Sequence, residues 1–489
     1  MMKKLAVVLL LILSGCSANQ KPYVKPEVNS VYYEIFVASF YDSDGDGMGD
    51  LLGVVEKLDY IQKELGASGI WLMPIHPSPS YHKYDVMDYK AIDEAYGTLE
   101  DFDTLIAAMD ERGMDLIIDL VLNHSSREHP WFLESKEGML NGTCTEVCDY
   151  YTFSQTPVAG YNSINSTLYY ESEFSDTMPD LNLDNENVRR EIQEITKFWI
   201  DRGVKGFRLD ATSHFYADNV QKNVEFLKWF NDYAKSLKED VYIVGEAWKP
   251  QSIVQDMYAS GISFFNFSVG QNTGRLVKDI KRESGLGFAQ FVQDYQEGIK
   301  AKNPDAIDSL FYSNHDQGRS ASYFSKQLGA QKLAASTYLL LPGNVFVYYG
   351  EEIGMLGSGR DENKRLRMEW GETKGLANSP KDQDYTAEQP NTVKDSLKDK
   401  DSLFNHYKEV IRIRNAYPVI SQSQFTALDL GDNALFAAQY EDFIIVHNFA
   451  DKDIVIDGAY DIIEDGLGGK LKDGKVHLGP YESVIIKQK

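Results

Sequence analysis

Polar side chains stand at the ends of several apolar runs of this sequence. Arg208 and Asp210 end one run, and Glu246 ends another. The other members of this set are Asn123, His124, Asn314, His315 and Asp316. A loop cap explains any one of them, but chance does not readily explain the whole set at successive run ends. Three carboxylates, an arginine and two histidines on one rim predict acid–base chemistry on a bound substrate.

The spacing of Arg208 and Asp210 supports this prediction. Two residues apart on a strand, their side chains point to the same side. A neighbouring cation favours the ionised form of a carboxyl group. We therefore expect Arg208 to keep Asp210 charged.

A second acidic signal is the stretch DSDGDGMGD at 42–50. Oxygen ligands at alternate positions around glycine turns suit Ca²⁺, although the distal Glu of an EF-hand loop is missing. The predicted ligands are Asp42, Asp44, Asp46, the carbonyl oxygen of Met48, and Asp50. The alternative is an acidic turn without a metal.

The elements that must position these residues alternate between strand and helix. Helical spacing covers 54–65 and 190–200, among other segments, and β-rich runs recur at 31–36, 69–73, 116–121, 206–210, 241–244, 262–267, 309–312 and 344–349. Repeated β–α units imply a parallel sheet, and eight of them predict an α/β fold, the closed (β/α)8 TIM barrel. A doubly wound sheet is the competitor, but no G-x-G-x-x-G follows an early strand.

Two regions interrupt the alternation. Residues 125–187 follow the third strand and are too many for a structureless loop, so they predict a small inserted domain. Residues 419–489 carry closely spaced β-rich runs without helical spacing, which predicts a C-terminal antiparallel β domain. The barrel itself is assigned to 29–124 and 188–418.

The N-terminus is typical of an export signal. Lys3 and Lys4 precede an apolar run at 5–13, which is too short to span a bilayer. The run ends in Leu-Ser-Gly-Cys16, which resembles a bacterial lipobox, so 1–15 is a predicted signal peptide, Cys16 a lipidation site and 16–28 a tether. We expect a protein anchored by lipid to the outer face of the cell membrane, in the periplasm or at the cell surface. An ordinary signal peptide with an incidental Cys is the alternative.

Two further cysteines, Cys144 and Cys148, form a C-x3-C pair. Outside the cytoplasm they can form a short-loop disulfide. A metal-binding pair is the rival interpretation, but no further Cys and no nearby His cluster completes such a site.

Composition narrows the classes of function. With 74 Asp and Glu against 49 Lys and Arg, the net charge of the 489-residue chain is −25. This charge repels phosphate and excludes a general nucleic-acid binder. Aromatic residues make up 12% of the chain, which fits core packing or flat stacking surfaces for a ligand such as a sugar.

Several ordered motifs carry a resemblance to a known family. They are DLVLNH at 119–124, MPDLN at 178–182, GFRLDATSH at 206–214, GEAW at 245–248 and SNHD at 313–316, with DSDGDGMGD, GIWLMPI and HKYDVMDY before or between them. The chain resembles the α-amylase family of glycoside hydrolases, in the α-amylase/neopullulanase clan, over nearly its whole mature length. The resemblance implies a (β/α)8 barrel, a domain B inserted after strand three and a C-terminal β-sandwich.

The resemblance also implies roles for individual residues. Retaining glycoside hydrolysis needs two carboxyl groups about 5–5.5 Å apart. Asp210 matches the family's nucleophile, Glu246 its acid/base and Asp316 its third carboxylate. The substrate-binding positions are matched by Arg208, by His124 and His315 as the hydroxyl-binding pair, and by Tyr84 as the stacking platform. A second, less certain calcium site would use Asn123, Asp180 and the carbonyl of His214.

The predicted activity is endo-type hydrolysis of α-1,4-glucosidic bonds in starch, glycogen or maltodextrin, by a protein expected to act as a monomer. Two departures bear on specificity. Ser213 stands where many relatives have Lys, and the segment from Arg365 to Trp370 lacks a Pro that is common there. A neopullulanase, cyclomaltodextrinase or glucosyl-transferring specificity is the alternative. A non-catalytic relative that binds glucan or a partner is the remote one, since such relatives lose a catalytic carboxylate.

Overall fold

The structure, a computed structural model, describes residues 31–217, 219–325, 327–464 and 466–489. The predicted signal peptide, the lipidation site Cys16 and the tether lie outside the described residues. Within the described ranges, no helix has the length and apolar character needed to cross a bilayer.

Eight parallel strands close into a barrel, in which the first strand pairs with both the second and the eighth. In chain order they are Val31–Ile35, Gly69–Leu72, Asp115–Leu120, Gly206–Leu209, Tyr242–Gly245, Ser263–Phe265, Asp308–Phe311 and Asn344–Tyr348. Every strand overlaps a predicted one, so the predicted TIM barrel is confirmed.

Helices surround the barrel, with shorter helical segments in its connections. They are Leu51–Glu56, Leu99–Glu111, Glu186–Asp201, Val220–Leu237, Gln251–Met257, Arg275–Lys281, Gly285–Lys302, Leu328–Leu339, Asp361–Lys364, Val393–Ser396, Leu403–Ala416 and Val419–Gln422. The single helix predicted over 54–65 is wrong. The structure instead has Leu51–Glu56, begun by an Asp50 cap on the Gly53 amide, and a separate π-helix at Tyr60–Leu65.

The strand alternation divides the barrel wall into two faces. The inward face carries a bulky, largely aromatic layer that includes Tyr32, Trp71, Phe311 and Phe346. Such a layer fills the barrel as a packed core rather than a pore. Two residues further toward the carboxyl end of a strand, the side chain again points into the barrel, above this aromatic layer. Glu34 lies there, two residues after Tyr32 on the first strand.

The segment between the third and fourth barrel strands forms a small unit. It contains the helix Pro130–Asn141, a 3-10 turn at Glu146–Tyr150 and three short antiparallel strands, Phe153–Ser154, Tyr161–Asn165 and Leu168–Glu171. In the structure Cys144 and Cys148 are joined by a disulfide, which ties the end of this helix to the 3-10 turn.

The C-terminal region is a pair of antiparallel sheets. One has five strands, Thr426–Ala427, Leu435–Tyr440, Phe443–Asn448, Tyr460–Glu464 and Ser483–Gln488, and the other has Ile454–Ile456, Lys470–Lys472 and Lys475–Leu478. Apolar side chains of both sheets, such as Val446 and Val476, share one buried cluster. This packing is that of a β-sandwich.

Candidate active site

A cavity of about 470 Å³ opens at the carboxyl ends of the barrel strands. Its wall includes six of the residues selected from the sequence: Tyr84, His124, Asp210, Glu246, His315 and Asp316. They come from five different strand-to-helix connections, so only the closed barrel brings them together. In TIM-barrel enzymes this end of the barrel holds the active site.

Arg208 lies beneath the cavity and is 1% exposed. One of its amino groups, Nη1, donates to Asp210 Oδ1 at 2.7 Å, and the other, Nη2, donates to Glu246 Oε2 at 2.5 Å. Because one planar guanidinium binds both groups, the two carboxylates lie side by side. Arg208 was predicted to bind substrate, but the structure turns its guanidinium to these carboxylates and places it outside the cavity lining.

Asp119 is a member of this cluster that sequence reasoning missed. It is fully buried and accepts from Arg208 Nη1 at 2.8 and 3.0 Å and from the Tyr84 hydroxyl at 3.1 Å. Burial outweighs the opposing charge of Arg208 and, with a smaller contribution from Asp210, raises the pKa of Asp119 to about 6. A charged residue inside the apolar run 116–121 was the signal that could have identified it.

The Glu246 carboxyl group is suited to donating a proton. Burial raises the pKa of Glu246 to about 7, and the negative charges of Asp210 and Asp316 add to the effect against the opposing Arg208. Glu246 therefore keeps its proton up to about pH 7, while the same guanidinium also donates to Asp210. A proton donor beside a charged carboxylate is the combination used for acid and nucleophile roles.

Asp316 is held ionised on the other side of the cavity. Burial opposes this charge, but His315 and Arg365 outweigh it and lower the pKa of Asp316. His315 Nε2 lies 3.1 Å from Asp316 Oδ2, and Arg365 Nη2 donates to Asp316 Oδ1 at 3.4 Å. The site thus contains a carboxylate that can accept hydrogen bonds from ligand hydroxyls without giving up a proton.

Two further side chains on the wall suit a polyhydroxylated ligand. His124 is 2% exposed, and neither ring nitrogen has a hydrogen-bond partner among the described residues. Burial lowers the pKa of His124, so its neutral ring offers one donor and one acceptor. The Tyr84 ring stacks on His315, with centroids 5.6 Å apart.

Aromatic residues that sequence reasoning did not assign also line the cavity. Trp248 is 49% exposed and stacks on Phe267 at 4.9 Å, and Phe174, 46% exposed, contacts the His124 ring. Trp248 lies two residues after Glu246, which puts it beside the predicted proton donor. Exposed flat rings at the mouth of a polar cavity suit stacking against sugars, and the Trp of GEAW was the available signal.

The acidic loop at 42–50 brings three carboxylates together. Asp42, Asp44 and Asp50 each contribute one carboxylate oxygen, and these three oxygens lie within 4.8 Å of one another. Asp46 is not a member of this cluster, and its carboxylate accepts from the Met48 amide at 2.7 Å. The predicted Met48 carbonyl contact stays a prediction. An all-oxygen set of three anions fits Ca²⁺.

The second predicted calcium site has a weaker donor set. The side-chain amide nitrogen of Asn123 donates to Asp180 Oδ1 at 3.1 Å, which links the barrel directly to the inserted unit. The His214 ring contacts Glu173 Oε1 at 2.8 Å. Of the three predicted ligands only Asp180 is anionic, and burial raises its pKa to about 7. The second calcium site stays a prediction.

The closed barrel and the paired carboxyl groups at its mouth define a glycoside hydrolase. The sequence profile of the alpha amylase catalytic domain matches residues 34–423. The chain belongs to the alpha-amylase family, as the motifs predicted.

Named relatives cover almost the whole chain. Alpha-amylase 3 of Dictyoglomus thermophilum is 37% identical over 98% of this chain and 97% of that protein. Amy13B of Eubacterium rectale superposes with a TM-score of 0.91 at 40% identity, over 96% of this chain and 97% of that chain. Alpha-amylase from H. orenii has a TM-score of 0.84 at 33% identity, with coverage of 94% and 99%.

Proposed function

We propose that the chain hydrolyses internal α-1,4-glucosidic bonds of starch, glycogen or maltodextrin with retention of configuration. The observation that carries this proposal is the pairing of Asp210 and Glu246 on one guanidinium, with burial raising the pKa of Glu246. A non-catalytic glucan-binding relative would not need this pair.

The chemistry follows in two displacements. The Asp210 carboxylate attacks the anomeric carbon while the Glu246 carboxyl group gives its proton to the departing glycosidic oxygen. A glycosyl–enzyme ester forms and the aglycone chain leaves with the proton. Glu246, now a carboxylate, takes a proton from water, whose oxygen attacks the same carbon and releases Asp210. Each group ends in its starting protonation state.

The remaining residues orient the sugar and balance charge. Asp316 and His124 are placed to hold hydroxyl groups of the cleaved residue, and Tyr84 provides a ring above which that residue can stack. Arg208 donates to Asp210 and stabilises the carboxylate that the second displacement releases. Trp248, which lines the cavity two residues after Glu246, can contact the sugar that receives the proton in the first displacement.

The α-1,4 preference is the finer part of the proposal. It is supported by two relatives named as alpha-amylases, at 37% and 33% identity. Relatives named as 1,6-glucosidases are less similar: an oligo-1,6-glucosidase of Bacillus sp. is 31% identical and glucan 1,6-alpha-glucosidase of Streptococcus pneumoniae is 29% identical. Cyclodextrin or pullulan hydrolysis and glucosyl transfer are the second candidate activity.

Product analysis tests this specificity. The protein, freed of its first 28 residues, is incubated with starch, pullulan, maltotriose and isomaltotriose. We expect starch to lose iodine staining early and to give a range of maltooligosaccharides, because internal bonds are cut first. Glucose as the sole early product, or isomaltotriose as the best substrate, would contradict the endo α-1,4 assignment.

We also propose that the loop at 42–50 binds a structural Ca²⁺. Chelation should lower Tm by about 2–4 °C, the shift expected when a ligand at about 100 times its Kd is removed from a protein of this size. Asp42→Asn should remove this response to calcium, and Asp46→Asn, outside the three-carboxylate cluster, should keep it. A Tm that is unchanged by chelator and by added Ca²⁺ in the wild type would refute the site.

The sequence further leads us to propose export and lipid anchoring at Cys16. Full-length protein expressed in a bacterial host should enter the detergent phase on phase partition, and Cys16→Ser should stay in the aqueous phase. Equal partition of the two would argue for an ordinary signal peptide.

A further inference from the structure

Glu34 is a buried carboxyl group that the proposed reaction does not use. It lies on the inner face of the first barrel strand, one step above the aromatic layer that contains Tyr32. Its Oε1 is 2.6 Å from Nδ1 of His315, and both residues are only 1% exposed. The contact joins positions 281 residues apart, so it exists only in the closed barrel.

The other nitrogen of His315 also faces oxygen atoms. Nε2 lies 3.1 Å from Asp316 Oδ2 and 2.7 Å from the Tyr84 hydroxyl. A neutral imidazole has one N–H, whereas an imidazolium has two. With a carboxylate at each end of the ring, only the doubly protonated form donates to both.

We propose that Glu34 is a positioning residue that holds His315 as an imidazolium beneath the sugar-binding cavity. The fixed cation then orients and keeps ionised Asp316, the carboxylate that binds sugar hydroxyls. Glu34 acts through His315 and does not itself line the cavity.

The charges around His315 agree with this assignment. Burial disfavours the imidazolium, but Asp316 and Glu34 together raise the pKa of His315 to about 9. Burial raises the pKa of Glu34 itself, against the cations His315 and Arg208. The titratable or charged groups facing the ring or its carboxylates are Glu34, Tyr84, Asp119, Arg208, Glu246, Asp316 and Arg365.

The isosteric variant Glu34→Gln tests the charge without removing the hydrogen-bond acceptor. Removing one neighbouring carboxylate should lower the pKa of His315 by at least about one unit. In a ¹⁵N-histidine NMR titration, the ring assigned with His315→Gln should therefore lose its proton at least one pH unit earlier than in the wild type. Loss of the His315 proton should add a second, steeper fall to the alkaline limb of kcat/KM, and this second fall should begin about one pH unit lower than in the wild type, with activity near pH 5 within about threefold of the wild type.

Two controls separate this role from a general structural one. Glu352→Gln changes another buried glutamate, which accepts from the Tyr33 and Tyr60 hydroxyls at 2.7 and 2.6 Å, and it should leave both titrations unchanged. Glu34→Asp keeps the negative charge, so the pKa of His315 should lie between its values in Glu34→Gln and in the wild type. If Glu34→Gln does not fold, the comparison of Glu34→Asp with the wild type carries the test. The shorter Asp side chain lengthens the contact with His315, so the pKa of His315 should fall by a smaller amount.

An unchanged His315 titration in folded Glu34→Gln would overturn the inference. The kinetic arm rests on the proposed hydrolysis, but the NMR arm does not. A wild type without hydrolytic activity would therefore refute the proposed function and still leave the protonation of His315 measurable.

Discussion

Asp210→Asn is expected to reduce starch hydrolysis by at least about 10⁴-fold, the scale of loss when an enzyme's nucleophile is removed. An amide cannot form the glycosyl ester, so the first displacement stops. The Asn side-chain oxygen can still accept from Arg208 Nη1, which donates to Asp210 at 2.7 Å in the wild type. The fold and glucan binding should therefore survive. Release of reducing ends from starch, with Tm and maltooligosaccharide affinity in parallel, measures the change.

The matched control is Asp279→Asn. Asp279 is also a buried aspartate paired with an arginine, with Arg275 Nε 2.7 Å from its Oδ2. It lies on the helix Arg275–Lys281, outside the cavity lining. This variant should be less stable but retain its hydrolytic rate. Equal release of reducing ends by Asp210→Asn and the wild type would refute the assignment of the nucleophile.

The sequence predicted the barrel because its strands carry local signals. Each strand is a short apolar run that overlaps its predicted span, and polar residues at the ends of four of these runs mark the carboxyl edge of the sheet. Asp210, Glu246 and Asp316 could be selected in this way before any contact was known. Their convergence followed from the rule that parallel strands end on one rim.

Other features depend on contacts between distant residues that no local pattern encodes. Arg365 reaches Asp316 across 49 residues, and Glu34 reaches His315 across 281. Only the folded loop shows that Asp42, Asp44 and Asp50 form the acidic cluster and that Asp46 does not join it. The sequence supplies residue types for these contacts, but the folded chain decides which atoms meet.

Charge balance explains why neighbouring acids take different roles. Asp119, Asp210 and Glu246 all contact Arg208, yet one guanidinium carries a single positive charge. Three buried anions around one cation are costly, so protons are retained where the environment is driest. The raised pKa values of Asp119 and Glu246 show this effect. Only Glu246 of these two lines the cavity, so it is the group able to pass its proton to a substrate.

Glu246→Gln is expected to slow starch hydrolysis by about 10²–10⁴-fold, the usual contribution of a general acid. In the wild type, activity should fall as the pH rises through about 7, because Glu246 then loses the proton that it must donate. The variant has no such proton, so its residual activity should lack this alkaline limb. Glu352→Gln, at a buried glutamate outside the cavity lining, should keep the limb and the rate.

The leaving group distinguishes loss of the acid from loss of the nucleophile. An α-maltosyl fluoride needs little protonation to depart, so Glu246→Gln should still form the glycosyl–enzyme with it, whereas Asp210→Asn should not. Azide, which attacks without a general base, should then speed turnover of Glu246→Gln and yield a maltosyl azide of the same anomeric configuration as the substrate. The opposite configuration would show single displacement, in which one carboxylate activates the attacking water and the other carboxyl group protonates the leaving oxygen, with no covalent ester.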